Sequence, residues 1–127
     1  MARAESVISA LEEICAAFNA HDLDRIMSFF ADDCVLQMPR GPEPCGRRYE
    51  GKAAVREGLA TRFAGMPDVH YGHATHYADG NTGISKWTVT GTTPTGERIE
   101  ALGCDFYTFD NGRVVVKDSY WKRVDAP

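Results

Sequence analysis

Asp105 stands in the run Ala101-Leu102-Gly103-Cys104-Asp105-Phe106-Tyr107, where its neighbours are small, apolar or aromatic. Side chains alternate on a strand, so Ala101, Gly103, Asp105, Tyr107 and Phe109 share one face and Leu102, Cys104 and Phe106 the other. A lone carboxylate on such a face is costly to bury unless it is paired, protonated or turned toward a wet cavity. Ionised, it can act as a base; neutral, it can only donate a hydrogen bond. Lys117, beyond the turn formed by Asp110, Asn111 and Gly112, is the charge that decides between these states.

The turn allows two registers. A two-residue turn at Asn111-Gly112 pairs Phe109 with Val114 and sets Asp105 opposite Asp118. A three-residue loop with Gly112 in the left-handed conformation pairs Phe109 with Arg113 and sets Asp105 opposite Lys117. The second is preferred, because it places opposite charges side by side where the first opposes two carboxylates. It also groups Val115, Lys117, Ser119 and Trp121 with Asp105.

His70, His73 and His76 resemble a metal cluster in print. On a regular strand, however, His73 points away from the other two, and His70 and His76 lie roughly 20 Å apart at about 3.3 Å per residue. They cannot share a metal, and His70 is retained as a candidate cavity base. The cysteines at 15, 34, 45 and 104 include no C-x-x-C pair, so reduced thiols are expected rather than a zinc site. No metal or cofactor is expected.

The chain that positions these groups has 127 residues, the length of one domain, 1–127, able to bury roughly two thirds of its surface. A net charge of −4 without a Lys/Arg run argues against nucleic-acid or anionic-membrane partners. Apolar runs are too short to span a membrane, and the amphipathic start MARAESVISALEEI does not resemble a secretory signal, so a cytoplasmic location is expected.

Val7, Ile8, Leu11, Ile14, Cys15 and Phe18 repeat at helical spacing and predict a first helix to about Ala20. Asp22 is the expected N-cap of a second, with Leu23, Ile26, Met27 and Phe30 inward and Asp32-Asp33 ending it. A short strand from Cys34 to Met38 and a proline-rich loop follow. A third helix then runs from Lys52 to about Phe63, with Val55, Leu59 and Phe63 inward and Gly65 as its stop. Strands over Val69–Ala78, Thr82–Thr93 and the two arms of Arg98–Lys122 make a four-stranded antiparallel meander, with Trp87, Val89 and Gly91 on its inner face. The fold class is α+β, three helices on a curved sheet.

The runs AFNAHDLDRIMSFFADDCVLQMP, YEGKAAVREGLATRF and FDNGRVVVKDSYWK resemble the SnoaL-like proteins of the nuclear transport factor 2-like superfamily along nearly the whole chain. The resemblance implies a cone-shaped α+β barrel, with the helices packed on a curved, mostly antiparallel sheet around a pocket, and a homodimer. Similarity to ketosteroid isomerases in FADDCVLQMP and CDFYTF aligns Asp105 with their oxyanion-binding aspartic acid. Ile14 stands where their catalytic tyrosine would be and Met38 where their base would be, so steroid isomerisation is not implied. Ser119 replaces the last aspartate of the similar epoxide hydrolases. In polyketide cyclases an aspartate on the equivalent strand is the acid/base, a place Asp105 could fill, and His70 with Asp22 is the nearest match to a dehydratase-like pair.

The resulting expectation is cofactor-free acid/base chemistry of isomerase, cyclase or dehydratase type on a small, partly apolar carbonyl compound. Asp105, Lys117 and His70 are its candidate catalytic residues. Trp87, Tyr107, Ser119, Trp121, Ile14, Met38 and Leu59 are its candidate contacts to a small apolar or aromatic ligand. The alternative is a non-catalytic ligand-binding homodimer of the same fold.

Overall fold

The computed structural model describes residues Ala2–Pro127, with side chains from Glu5 onward. Helix α1 (Ala2–Asn19) buries Val7, Leu11, Ile14 and Phe18, the stripe that its spacing predicts. Burying side chains of this size contributes about 1.5–3 kcal/mol each. Asp22 caps α2 (Leu23–Ser28) by accepting a hydrogen bond from the Arg25 backbone N–H at 3.1 Å. Helix α3 (Lys52–Gly65) turns Val55 and Leu59 inward, with Phe63 packed at the margin of the core. No helix among the described residues is long and apolar enough to cross a membrane.

The strands are β1 (Phe30–Gln37), β2 (Arg48–Glu50), β3 (His70–Asp79), β4 (Thr82–Thr92), β5 (Arg98–Asp110) and β6 (Arg113–Trp121). They form one sheet in the order β2-β1-β6-β5-β4-β3, antiparallel except where β1 runs parallel to β6. Helix α1 packs on β3 and β4, and α3 on β1 and β2. The architecture is the expected α+β cone, with the sheet left unclosed between its edge strands β2 and β3.

Along β1 and β2 the structure departs from the sequence reading. Phe30 belongs to β1, not to the second helix, because it pairs with Val114 and the Phe29 carbonyl accepts from the Val114 N–H at 2.8 Å. Helical spacing cannot see that long-range pairing. Asp32 and Asp33, expected as a helix stop, are consecutive exposed residues within β1, where its register with β6 slips. Arg48–Glu50, to which the sequence reading assigns no element, pairs with Val35–Gln37 as β2.

The register of the β5–β6 hairpin also differs. Asn111 and Gly112 both have positive φ, 51° and 77°, so the connection is the two-residue turn, with Asp110 opposite Arg113 and Phe109 opposite Val114. A bulge then inserts one residue into β6, and Thr108 pairs with Val116. Asp105 therefore faces Ser119, and Lys117 faces Tyr107. Val114 is buried beside Phe109, and Val115, expected on that face, falls in the bulge.

Candidate active site

Although Lys117 is not opposite Asp105, it reaches it diagonally along the shared inner face. Its Nζ donates to Asp105 Oδ1 at 3.0 Å. Trp87 Nε1 donates to Oδ2 at 3.1 Å, so both carboxylate oxygens are engaged. Asp105 and Lys117 are 4% and 6% exposed, which makes this a buried ion pair. The ammonium also lies 5.4 Å from the Phe18 ring centroid and 5.9 Å from that of Tyr107, within cation–π range.

The pair borders a cavity lined by Cys15, Phe18, Tyr71, Ser85, Trp87, Asp105, Tyr107 and Lys117, whose volume is about 10 Å³, the room of a single water. The pocket implied by the family resemblance is thus filled by side chains. Tyr71 packs edge-on against Trp87 with centroids 4.8 Å apart, and Trp87 against Trp121 at 6.2 Å. The Arg62 guanidinium covers the Trp121 ring at 4.4 Å. Asn19 fixes Tyr71 by donating to its carbonyl at 3.0 Å and accepting from its N–H at 2.8 Å.

Of the sequence candidates, Asp105, Lys117, Trp87 and Tyr107 converge on the cavity, with Ser119 buried opposite Asp105. Trp121 is half-buried behind Trp87. Ile14 and Leu59 are packed in the core and Met38 lies at its margin, and none of the three lines the cavity. His70 is exposed and is not brought to the site, and Asp22, its matched partner, is occupied as the α2 cap.

The physical reason for the histidine result is a bulge. His73 has φ 52°, and the β3–β4 register slips between Gly72 and Thr75, so the alternation reverses along β3. His76, rather than His70, then shares the inner face, with Nδ1 2.8 Å from Ser85 Oγ. Ser85 was discoverable from the sequence, because it lies two residues before Trp87 on the same strand face. Gly72 was the available hint of the bulge. Among the described residues no three His, Cys, Asp or Glu side chains converge as a metal site requires.

Burial raises the Tyr107 and Tyr71 hydroxyls above the ordinary tyrosine value, with Asp105 adding to the effect at both and Arg62 opposing it at Tyr71. Burial, reinforced by Asp105, also raises the Cys15 thiol. These three groups therefore face the carboxylate in neutral, protonated form.

Burial lowers the His76 imidazole from its ordinary value of 6.5, against the opposing pull of Glu12. The folded state then binds fewer protons than the unfolded chain, so stability is retained above about pH 6.5 and lost as pH falls below it. The melting temperature should drop between about pH 7 and pH 5, and less so in His76→Gln. Parallel pH profiles for the two proteins would contradict this assignment.

The chain matches the SnoaL-like domain family over residues 11–117. Its fold is shared with a candidate polyketide cyclase of Xanthomonas campestris pv. campestris, at 19% identity, TM-score 0.84, and coverage of 94% of this chain and 93% of that one. A candidate isomerase of Bacillus subtilis matches at 24% identity and TM-score 0.78, covering 93% and 87% of the two chains. TerC, crystallised with polyporic acid, matches at 18% identity and TM-score 0.79, covering 92% of each. With 107 of its residues (11 through 117) inside the family match and its six-stranded sheet and three helices superposing on these structures, the chain belongs to the SnoaL-like domain family.

Proposed function

We propose that this protein is a small-molecule enzyme of cyclase or isomerase type, working by cofactor-free acid/base chemistry on a small, partly apolar carbonyl compound. The observation that carries this reading is the buried Asp105–Lys117 pair with Trp87 on its second oxygen. A buried ion pair adds little stability over well-packed apolar residues, whereas a site for proton transfer needs such groups. Asp105 takes the proton from the carbon next to the carbonyl. The Lys117 ammonium shifts toward the enolate oxygen that forms, and Trp87, Tyr107 and Tyr71 hold the flat substrate. The candidate cyclase and candidate isomerase of the same fold support this class of reaction. TerC's co-crystallisation with polyporic acid supports an aromatic or quinone-like ligand.

The substrate enters by displacing side chains that now fill the pocket. The volume of about 10 Å³ favours a second reading, a protein of the same fold in which the ion pair only completes the core. Deuterium incorporation separates the two. Incubated in D2O with a panel of aromatic and cyclic ketones, the protein should catalyse deuteration at the α-carbon of at least one, and Asp105→Asn should lower that rate about 10²–10⁴-fold. Deuteration no faster than buffer throughout the panel, or unchanged in Asp105→Asn, removes the acid/base reading.

The outer sheet face exposes Leu102 at 46%, Phe106 at 40% and Tyr120 at 54%, with Cys104 among them. This apolar patch supports the homodimer as a proposal. Sedimentation should give twice the chain mass at micromolar concentration, and a monomer there overturns it. Four free thiols fit a reducing, cytoplasmic setting.

A further inference from the structure

A single row of polar side chains crosses the inner face of the sheet at one level. His76 on β3 is opposite Ser85 on β4, Ser85 is opposite Asp105 on β5, and Asp105 is opposite Ser119 on β6. Facing side chains of this kind have Cβ atoms roughly 5 Å apart. The positions flanking the row on β4 and β5 are Gly83, Trp87, Gly103 and Tyr107, so the row runs between glycine and aromatic neighbours. It begins at the sheet's free edge, because β3 has only β4 beside it.

We infer that His76 and Ser85 are the proton inlet of Asp105, carrying protons between solvent and the cavity along this row. The inference rests on the reading of Asp105 as the acid/base. His76 is half-buried, whereas Ser85 is buried, and the two are joined by the 2.8 Å contact. Ser85 and Asp105 border the same water-sized cavity, and a hydroxyl can donate and accept at once. After Asp105 has taken a proton, its carboxyl passes one to a cavity water. That water passes one to Ser85 Oγ as the Ser85 hydroxyl proton moves to His76 Nδ1, and the imidazolium gives one proton to solvent. Carboxylate, water, hydroxyl and neutral imidazole are all restored. The charged group facing His76 from α1 is Glu12, and Ser85 faces it from β4, with Asp105 and Lys117 one and two strands further on.

The test needs no substrate. The Trp87 indole N–H is bonded to Asp105 Oδ2, so its replacement by deuterium marks the arrival of solvent protons at that carboxylate. Measured by NMR in D2O, it should exchange roughly tenfold or more faster than the buried amides of β4 and β5 beside it, and its rate should follow the titration of His76. Ser85→Ala and His76→Phe should each slow the indole by about tenfold relative to those amides, and Ser85→Thr should restore it. Taking the ratio to neighbouring amides removes any general loss of stability, which speeds all of them together. An indole that exchanges with its neighbours, or that ignores both substitutions, overturns the inlet. If ketone deuteration still depends on Asp105 in that case, the acid/base reading survives without the row. A Ser85-dependent indole rate in a protein that deuterates nothing leaves the row and removes the other reading.

Discussion

Lys117→Met should cost roughly 3–5 kcal/mol of stability, and adding Asp105→Asn to the same chain should return most of that loss. The single change leaves a carboxylate whose side chain is 6% exposed with one neutral donor, the Trp87 indole, in place of an ion pair. Removing the charge at Asp105 eliminates the stranded ion, while the amide oxygen still accepts from the indole and the methionine keeps the length of the lysine stem beside Phe18 and Tyr107. Urea denaturation of the parent, both single variants and the double variant gives the coupling directly. If the double variant folds about as well as the parent yet deuterates no ketone, the fold does not need the pair and its retention belongs to chemistry. A double variant that remains more than about 3 kcal/mol below the parent makes the pair structural and takes away the main support for an enzyme.

The elements whose signal is local were legible in the sequence. The stripe of α1, the Asp22 cap and the inward face of Trp87 and Val89 depend on neighbours three, four or two residues away, and the structure has each of them. The errors arise where one extra residue changes the alternation. The two-residue turn moved Asp105 from Lys117 to Asp118 and the residue inserted near Val115 moved it on to Ser119, while a single residue with positive φ at His73 exchanged His70 for His76. The contact between Asp105 and Lys117 survived its wrong register because a lysine stem is long enough to reach diagonally. A shorter partner would have been lost. The assignment of Ile14, Met38 and Leu59 to a pocket wall came from the family resemblance, which presumes an open cone. Here Phe18, Tyr71 and Trp87 fill that space, and how large residues interdigitate across a core is not written in any periodicity.

Trp87 reaches Asp105 only because Gly103 opposite it has no side chain, and Gly103→Ala should therefore cost roughly 3 kcal/mol. A methyl group there would lie 2.5 Å from the Tyr120 backbone oxygen and 2.7 Å from the Trp87 ring atoms Cη2 and Cζ3. Neither neighbour yields cheaply. The oxygen belongs to β6, paired with β5 in the middle of the sheet, and the indole is wedged between Tyr71 and Trp121. Pushing the indole away also lengthens its 3.1 Å bond to Asp105 Oδ2, so one methyl group at a position with no polar atom disturbs the carboxylate. Ketone deuteration should fall together with stability, and the Trp87 indole N–H resonance should move toward the position of an unbonded indole. Trp87→Phe in the same chain removes the ring edge that meets the methyl, so it should recover part of the stability, though not the activity, because the donor to Oδ2 is gone. A Gly103→Ala protein that melts with the parent and keeps the indole resonance in place would show that the strand and the ring can give way at no cost, and that Gly103 does not set the position of Trp87.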